Sequence, residues 1–178
     1  MFKHTFNETI LRSYDIRGIY EKTLTQKDAF MLGFFFGITI KKKYPEKKHP
    51  LVVVGMDGRL SSPFLEEKLT EGLENSGCEI YRIGLGPTPM LYFASNYYKA
   101  DGAIQVTGSH NPKDYNGFKI VLNQNSFFGE DIKKLGHFAS KGYSKTYNGF
   151  SKSVEIGCKY IDEITKPLKN IDMKLHKK

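Results

Sequence analysis

The sequence has little of what would make it a secreted, membrane-spanning or metal-stapled protein. Its two cysteines, Cys78 and Cys158, lie far apart with no CxxC or Cys/His spacing. That argues against a zinc knuckle or a redox pair and predicts unpaired thiols in a reducing compartment. The longest apolar stretch, Phe30 to Ile40, has eleven residues and includes Gly33, Gly37 and Thr39, well short of the ~20 that a membrane-spanning helix needs. It reads as a buried helix. Met1 to Ile10 carries Lys3, His4 and Glu8 without the apolar run of a secretory signal, so the expected location is the cytoplasm, with no membrane partner. No GxxxxGK[ST] occurs, and Gly84-Leu85-Gly86-Pro87-Thr88-Pro89 fails as a GxGxxG fingerprint because Pro89 stands where the third glycine belongs. This argues against a P-loop or dinucleotide site.

What is present suits one ordinary domain and the start of another: 178 residues, 39% hydrophobic and 26% charged, a composition unlike that of a disordered or collagen-like chain. The net charge is +8. Lys41, Lys42, Lys43, Lys47 and Lys48 cluster around Pro45. Counterion release there would suit nucleic acid or phospholipid, but no aromatic stacking array or recognised binding module accompanies the lysines. A solvated loop between a helix and a strand is the better reading, with no nucleic-acid partner. A basic surface can also help collect a phosphorylated small molecule.

Along the chain, strand and helix alternate. Thr25 followed three residues later by Asp28 reads as the start of a helix that continues into the Ala29–Ile40 run. Leu51-Val52-Val53-Val54-Gly55 is a continuous apolar run, the mark of a strand buried on both faces. Ser62-Pro63 supplies a cap and a first-turn proline for a helix to about Asn75, and Ile80 to Ile83 forms the next strand. Thr88-Pro89 repeats the helix start, and a strand over Asp101 to Thr107 follows. Phe118 to Leu122 reads as a strand that pairs back on its predecessor through a turn at Asp114-Tyr115-Asn116-Gly117. A helix over Gly129 to Lys141, a linker over Gly142 to Ser153 and a helix from Gly157 to about Ile171, with Tyr160, Ile161, Ile164 and Leu168 on one face, complete the order. The fold expected is α/β: a mostly parallel sheet flanked by helices on both faces, with one strand antiparallel. Ligands then sit at the carboxyl ends of the strands, where Gly55–Ser61, Gly84–Pro89 and Thr107–Pro112 form the loops.

Of these, Thr107-Gly108-Ser109-His110-Asn111-Pro112 is the best candidate, because it puts a hydroxyl at the end of a buried strand beside a glycine that lets an anion approach the backbone. Ser109 is the nucleophile candidate, although in an isolated tetrapeptide it reads as a polar turn residue. His110 is a loop anchor or phosphate neighbour rather than a base for Ser109, since adjacent side chains rarely face one another and no GxSxG elbow is present.

Read together with Leu11-Arg12-Ser13-Tyr14-Asp15-Ile16-Arg17-Gly18, Gly55-Met56-Asp57-Gly58-Arg59-Leu60-Ser61 and Pro87-Thr88-Pro89, the run Thr107 to Val121 resembles the α-D-phosphohexomutase superfamily, the phosphomannomutases and phosphoglucomutases. Four motifs occur in the family's order. The resemblance implies that Ser109 is carried as a phosphoserine, which gives its phosphoryl group to a sugar monophosphate and regains one from the other end of the resulting bisphosphate. Lys119 matches the lysine linked to proton transfer at the sugar hydroxyl, or serves as a positive clamp. Arg17 matches an arginine beside the phosphoserine, where its planar fork suits phosphate, and Tyr14 a tyrosine lining the same cleft. His110 and Asn111 shape the loop, while Asp57 and Arg59 are expected to brace the strand end. The resemblance also implies Mg²⁺, with the phosphate on Ser109 as one ligand, a hexose 1,6-bisphosphate activator and a phosphorylated hexose as partner.

That superfamily builds its site between four domains. The DGDGDR-type metal loop of the second, the GEMSGH-type sugar loop of the third and the phosphate-holding loop of the fourth are not among these residues. Residues 1–150 are therefore expected to form the phosphoserine domain, and 151–178 a linker and the beginning of a second domain. The chain is expected to be an intramolecular phosphotransferase by kinship but incomplete as a catalyst alone, with a separately encoded C-terminal part as a candidate partner. The alternatives are a non-catalytic module that binds a phosphosugar or protein, and a truncated product without function.

Overall fold

The computed structural model describes residues 1–167. Two layers of helix enclose a seven-stranded sheet of order β1-β5-β4-β2-β3-β7. The strands are β1 (Ile16–Ile19), β2 (Leu51–Met56), β3 (Glu79–Leu85), β4 (Gly102–Val106), β5 (Tyr115–Leu122), β6 (Asn125–Phe127) and β7 (Phe150–Ser153). The helices are α1 (Gln26–Lys43), α2 (Ser62–Asn75), α3 (Thr88–Tyr97), α4 (Glu130–Lys141) and α5 (Gly157–Thr165). β2 pairs parallel with both β3 and β4, and β3 with β7. Every antiparallel pairing between these strands involves β5, which runs against β4, β1 and β6. β5 is thus the one reversed strand, and the expected architecture holds.

β2 shows why its sequence is apolar throughout. Val52 and Val54 point into a core formed with α1, α2 and α4, while Val53 joins Met90, Leu91 and Ala94 of α3 on the opposite face. A strand with helices on both sides has no face for polar residues. α1 opens on the expected capping box: Thr25 accepts from the Asp28 N–H, and Asp28 accepts from the Thr25 N–H at 2.7 Å. Its apolar run is buried almost all round through Phe34, Phe35, Phe36, Ile38 and Ile40. α1 and α2 meet backbone to backbone. A Cβ on Gly33 would stand 2.2 Å from the Leu69 carbonyl oxygen, and one on Gly72 would stand 2.0 Å from that of Phe30.

Several expectations are corrected. Asp114–Gly117 is not a turn, since β5 begins at Tyr115 and Asn116 and Gly117 lie in its ladder with β1. Asn-Gly favours hairpin turns, but here Gly117 admits the unforeseen β1, as a Cβ there would stand 2.0 Å from the Ile16 oxygen. Asn116 is completely buried, donating to Ser61 Oγ at 2.8 Å and Ser62 Oγ at 3.0 Å. The chain reverses earlier, within the Ser109 loop itself. The cap of α2 is Ser61, with Ser62 the first helical residue, and that of α3 is Pro87. The supposed linker over Gly142 to Ser153 contains β7, a fourth parallel strand on the edge of β3. The expected boundary at residue 150 falls on its first residue. On α5, Tyr160 packs near Phe93 while Ile161 and Ile164 are exposed. Leu168 and the expected continuation to Ile171 lie outside the described residues. No helix among the described residues is long and apolar enough to cross a membrane.

Two outcomes follow. Gly72→Ala is expected to lower stability by about 1–3 kcal/mol through overpacking, read as a fall in the urea midpoint. Gly58→Ala, whose added Cβ meets only a Leu85 methyl at 3.8 Å, should leave the midpoint in place. Among the thiols, burial pushes Cys78 up to about 11, whereas Cys158 is exposed. Iodoacetamide near neutral pH should therefore alkylate the native protein once, at Cys158, and modification of native Cys78 would contradict the packing.

Candidate active site

The carboxyl ends of β2 and β4 lie side by side, and the loops leaving them are joined by Asp57. Its backbone N–H donates to the Val106 carbonyl at 2.9 Å. Its Oδ2 accepts from the Gly108 N–H at 2.9 Å, and its Oδ1 accepts from the Arg59 N–H at 3.1 Å and from Ser62 Oγ at 2.6 Å. Burial works against the charge on Asp57, but the hydrogen bonds from Ser62, Gly108, Arg59 and Thr107 prevail and hold its carboxyl below the ordinary carboxylate value. Asn116 extends the network through Ser62.

Arg59 closes the loop from outside. Its Nη1 donates to the carbonyls of Pro112 at 2.6 Å and Tyr115 at 2.9 Å, and its Nη2 to those of Asn111 at 2.7 Å and Ser109 at 3.1 Å. Its Nε lies 3.3 Å from Asp57 Oδ2. The guanidinium passes so close to the loop that a Cβ on Gly108 would sit 1.9 Å from that Nε. This is why position 108 takes glycine. Asp57 and Arg59 brace the strand end as expected, and what they brace is the loop carrying Ser109.

Arg17 supports the same loop from within. It is 1% exposed, and its guanidinium donates to the Thr107 carbonyl and to Asp15. Two of its donors are therefore taken up in bracing rather than held open for phosphate. Ser109 itself is half-buried with φ +52°, the left-handed region that non-glycine residues rarely occupy. Its N–H donates to Thr107 Oγ1 at 2.9 Å, and its own hydroxyl makes no hydrogen bond among the described residues. The residue thus combines a fixed backbone with a hydroxyl that has no partner among the described residues.

The other candidates divide. Asn111 folds back on the loop, its N–H and Nδ2 each 3.1 Å from the Gly108 oxygen, and with Arg59, Phe64 and Lys113 it lines a cavity of about 890 Å³. His110 is exposed and unbonded among the described residues. Lys119, the cross-strand partner of Gln105, lines a separate cleft of about 280 Å³ with Tyr14, Tyr92, Ser126 and Phe128. There the Tyr14 ring stacks beside Phe128 at 6.5 Å. Lys119 and Tyr14 thus share one recess while Arg17 and Ser109 share the loop. Asp15, Ser62 and Asn116 were not anticipated as members of this network: Asp15 stood within a quoted motif, Ser62 was read only as a helix cap and Asn116 only as a turn residue.

These residues do not by themselves fit Mg²⁺, which prefers six oxygens. No group of three or more His, Cys, Asp or Glu is gathered for a metal among the described residues. Both Asp57 oxygens are already engaged, and Arg17 holds one of Asp15.

The sequence profile described as phosphoglucomutase/phosphomannomutase, alpha/beta/alpha domain I, matches residues 8–146. A phosphomannomutase/phosphoglucomutase of Pseudomonas syringae pv. tomato is 40% identical over 157 residues, covering 88% of this chain and 33% of that protein. A Neisseria gonorrhoeae phosphoglucomutase is 44% identical over 126 residues, 71% of this chain and 26% of its own. The crystal structure of a Burkholderia thailandensis phosphoglucomutase/phosphomannomutase family protein superposes with a TM-score of 0.82 at 34% identity, covering 90% of this chain and 36% of that one. The chain spans about a third of the length of the first of these curated relatives.

Because the folded state holds Asp57 below its unfolded value, the carboxylate adds stability above the ordinary carboxylate range, and that contribution is lost as pH falls through the depressed value. Asp57→Asn is expected to cost about 1–3 kcal/mol at neutral pH, with the gap to wild type narrowing below about pH 4. Superimposable urea curves from pH 4 to 8 would show that the carboxylate does not hold the loop.

Proposed function

Since the chain belongs to the phosphoglucomutase/phosphomannomutase family and carries its α/β/α domain I, we propose that it is the phosphoryl-carrying part of a hexose phosphate mutase. The observation that carries this reading is the Ser109 hydroxyl, unbonded among the described residues, on a loop held by Arg59, Asp57 and Arg17. Phosphorylated Ser109 transfers its phosphoryl group to the free hydroxyl of a hexose monophosphate, breaking the serine O–P bond and forming a bisphosphate. The phosphoryl group at the opposite end of that bisphosphate then returns to Ser109 Oγ, so the phosphate has moved between the 1- and 6-positions. The fixed loop keeps the oxygen in place for both transfers without reorganisation.

Lys119 stands on the strand that returns from the loop. We assign it to the sugar hydroxyl, as a proton shuttle or as a positive charge that steadies the transferring group. Tyr14 walls the same recess, and His110 and Asn111 flank the carrier. Bound Mg²⁺ would neutralise charge on the phosphate of Ser109, with the rest of its ligands from outside these residues. Hexose 1,6-bisphosphate is the proposed priming donor. Glucose and mannose phosphates are the candidate substrates, on the names of the relatives. We place the groups that read the hexose hydroxyls outside the described residues, on a longer or separately made polypeptide.

Incubating the chain with glucose 1,6-bisphosphate, Mg²⁺ and the remaining domains of a family member supplied as a separate polypeptide should add one phosphoryl group by intact mass, mapped to Ser109 and absent from Ser109→Ala. Lys119→Gln is expected to slow phosphoryl exchange about a hundredfold or more while leaving the urea midpoint unchanged. No mass gain, or a gain elsewhere, would overturn the reading.

A further inference from the structure

At the amino ends of the parallel strands, the edge opposite to Ser109, the end of α1 and the segment after α4 enclose a cavity of about 490 Å³ lined by Ile38, Lys41, Lys42, Pro45, Tyr143 and Tyr147. We propose that this cavity binds a phosphorylated small molecule, at a second anion site separate from the Ser109 loop. The proposal does not rest on the reading of Ser109.

The structure brings to the lysine cluster the aromatic rings that its sequence neighbourhood lacks. Lys41 Nζ stands 4.7 Å from the Tyr147 ring centre, and Lys42 Nζ stands 4.0 Å from that of Phe138 and 5.2 Å from that of Tyr143. Lys41 is further fixed by donating to the Lys48 carbonyl at 2.8 Å. Among the described residues neither ammonium pairs with a carboxylate, and Asp101, the buried carboxylate of this end, is taken by Lys47 at 2.6 Å. Part of this charge answers the carbonyl end of α1, but a helix terminus carries only about half an elementary charge. Three lysines in the last turn exceed it. Positive charge held at close quarters without counter-charge is what an anion site requires.

The lining also narrows the ligand. The Tyr143 and Tyr147 hydroxyls lie 3.4 Å apart, and both tyrosines line the cavity with Lys41 and Lys42, so the lining offers N⁺–H and O–H donors to phosphate oxygens. An ammonium already stands against each of these rings, which competes with the stacking of a nucleic-acid base. Ile38 is 1% exposed and gives an acyl chain no surface to enter. The volume falls in the range of small-molecule pockets, about 300–1,000 Å³, and leaves room for an organic group beyond the phosphate. About 20 Å of strand separates this edge from the Ser109 loop, so the two sites can be occupied independently.

Titration calorimetry with pyrophosphate tests the assignment on the intact chain. Wild type and Ser109→Ala should bind alike, and Lys41→Gln/Lys42→Gln should bind about tenfold or more weakly, a loss of about 1.4 kcal/mol. Lys41→Arg/Lys42→Arg should retain binding, showing that charge rather than folding was lost. Phosphoryl gain at Ser109 should be unchanged in the glutamine pair, which separates failure here from failure of the proposed function. Absence of pyrophosphate binding, equal binding by the glutamine pair, or loss of binding in Ser109→Ala would each overturn the proposal. Binding of single-stranded oligonucleotide or of phosphatidylserine vesicles without pyrophosphate binding would replace it with a macromolecular surface.

Discussion

One guanidinium organises the loop at the carboxyl edge of this sheet. Arg59 reaches four carbonyls spread from Ser109 to Tyr115 and thereby converts the connection between β4 and β5 from a loose hairpin loop into a rigid shelf. Arginine suits the task because its planar fork holds several acceptors at fixed angles and keeps its charge at any physiological pH. The cost is a guanidinium largely removed from water, which Asp57 offsets from the neighbouring strand end. Because Asp57 also receives the Gly108 N–H, the same ion pair that balances the arginine fixes the loop it grips. The left-handed Ser109 backbone persists only because its surroundings over-determine it.

The sheet places this device. Parallel β2 and β4 deliver Asp57 and Thr107 to one edge, and the reversed β5 brings Lys119 back past the loop. The glycine contact between α1 and α2 sets how closely the helical layer lies on that sheet. Charge is distributed to match: the carboxyl edge carries arginines consumed in bracing, while at the amino edge Lys41 and Lys42 pair with no carboxylate among the described residues. Family membership therefore accounts for one end of the molecule and leaves the chemistry of the other open.

Much of this was readable in the amino-acid order. Leu51–Val54 announced a strand between two cores, Thr25 and Asp28 announced a helix start, and Ser109 stood out at a strand end beside a glycine. The misses have physical causes. Asn116-Gly117 reads as a turn because local preference is blind to β1, whose approach across about a hundred residues makes the glycine necessary as strand. Phe150–Ser153 has no apolar periodicity, since an exposed edge strand forms from the partners that β3 offers. The clamp is invisible to spacing because Arg59 acts on carbonyls 50 to 56 residues away, and carbonyls belong to every sequence. The ring neighbours of Lys41 and Lys42 are hidden for the same reason: Phe138, Tyr143 and Tyr147 lie far along the chain.

The backbone at Ser109 also limits which alcohol can occupy that place. Threonine offers the same hydroxyl, but its branched β-carbon is poorly tolerated where φ is positive. The shelf therefore discriminates between two hydroxyl amino acids of nearly equal reactivity by conformation alone. A methyl group too small to matter on an exposed loop would here have to be accommodated by unwinding the contacts that make the shelf rigid.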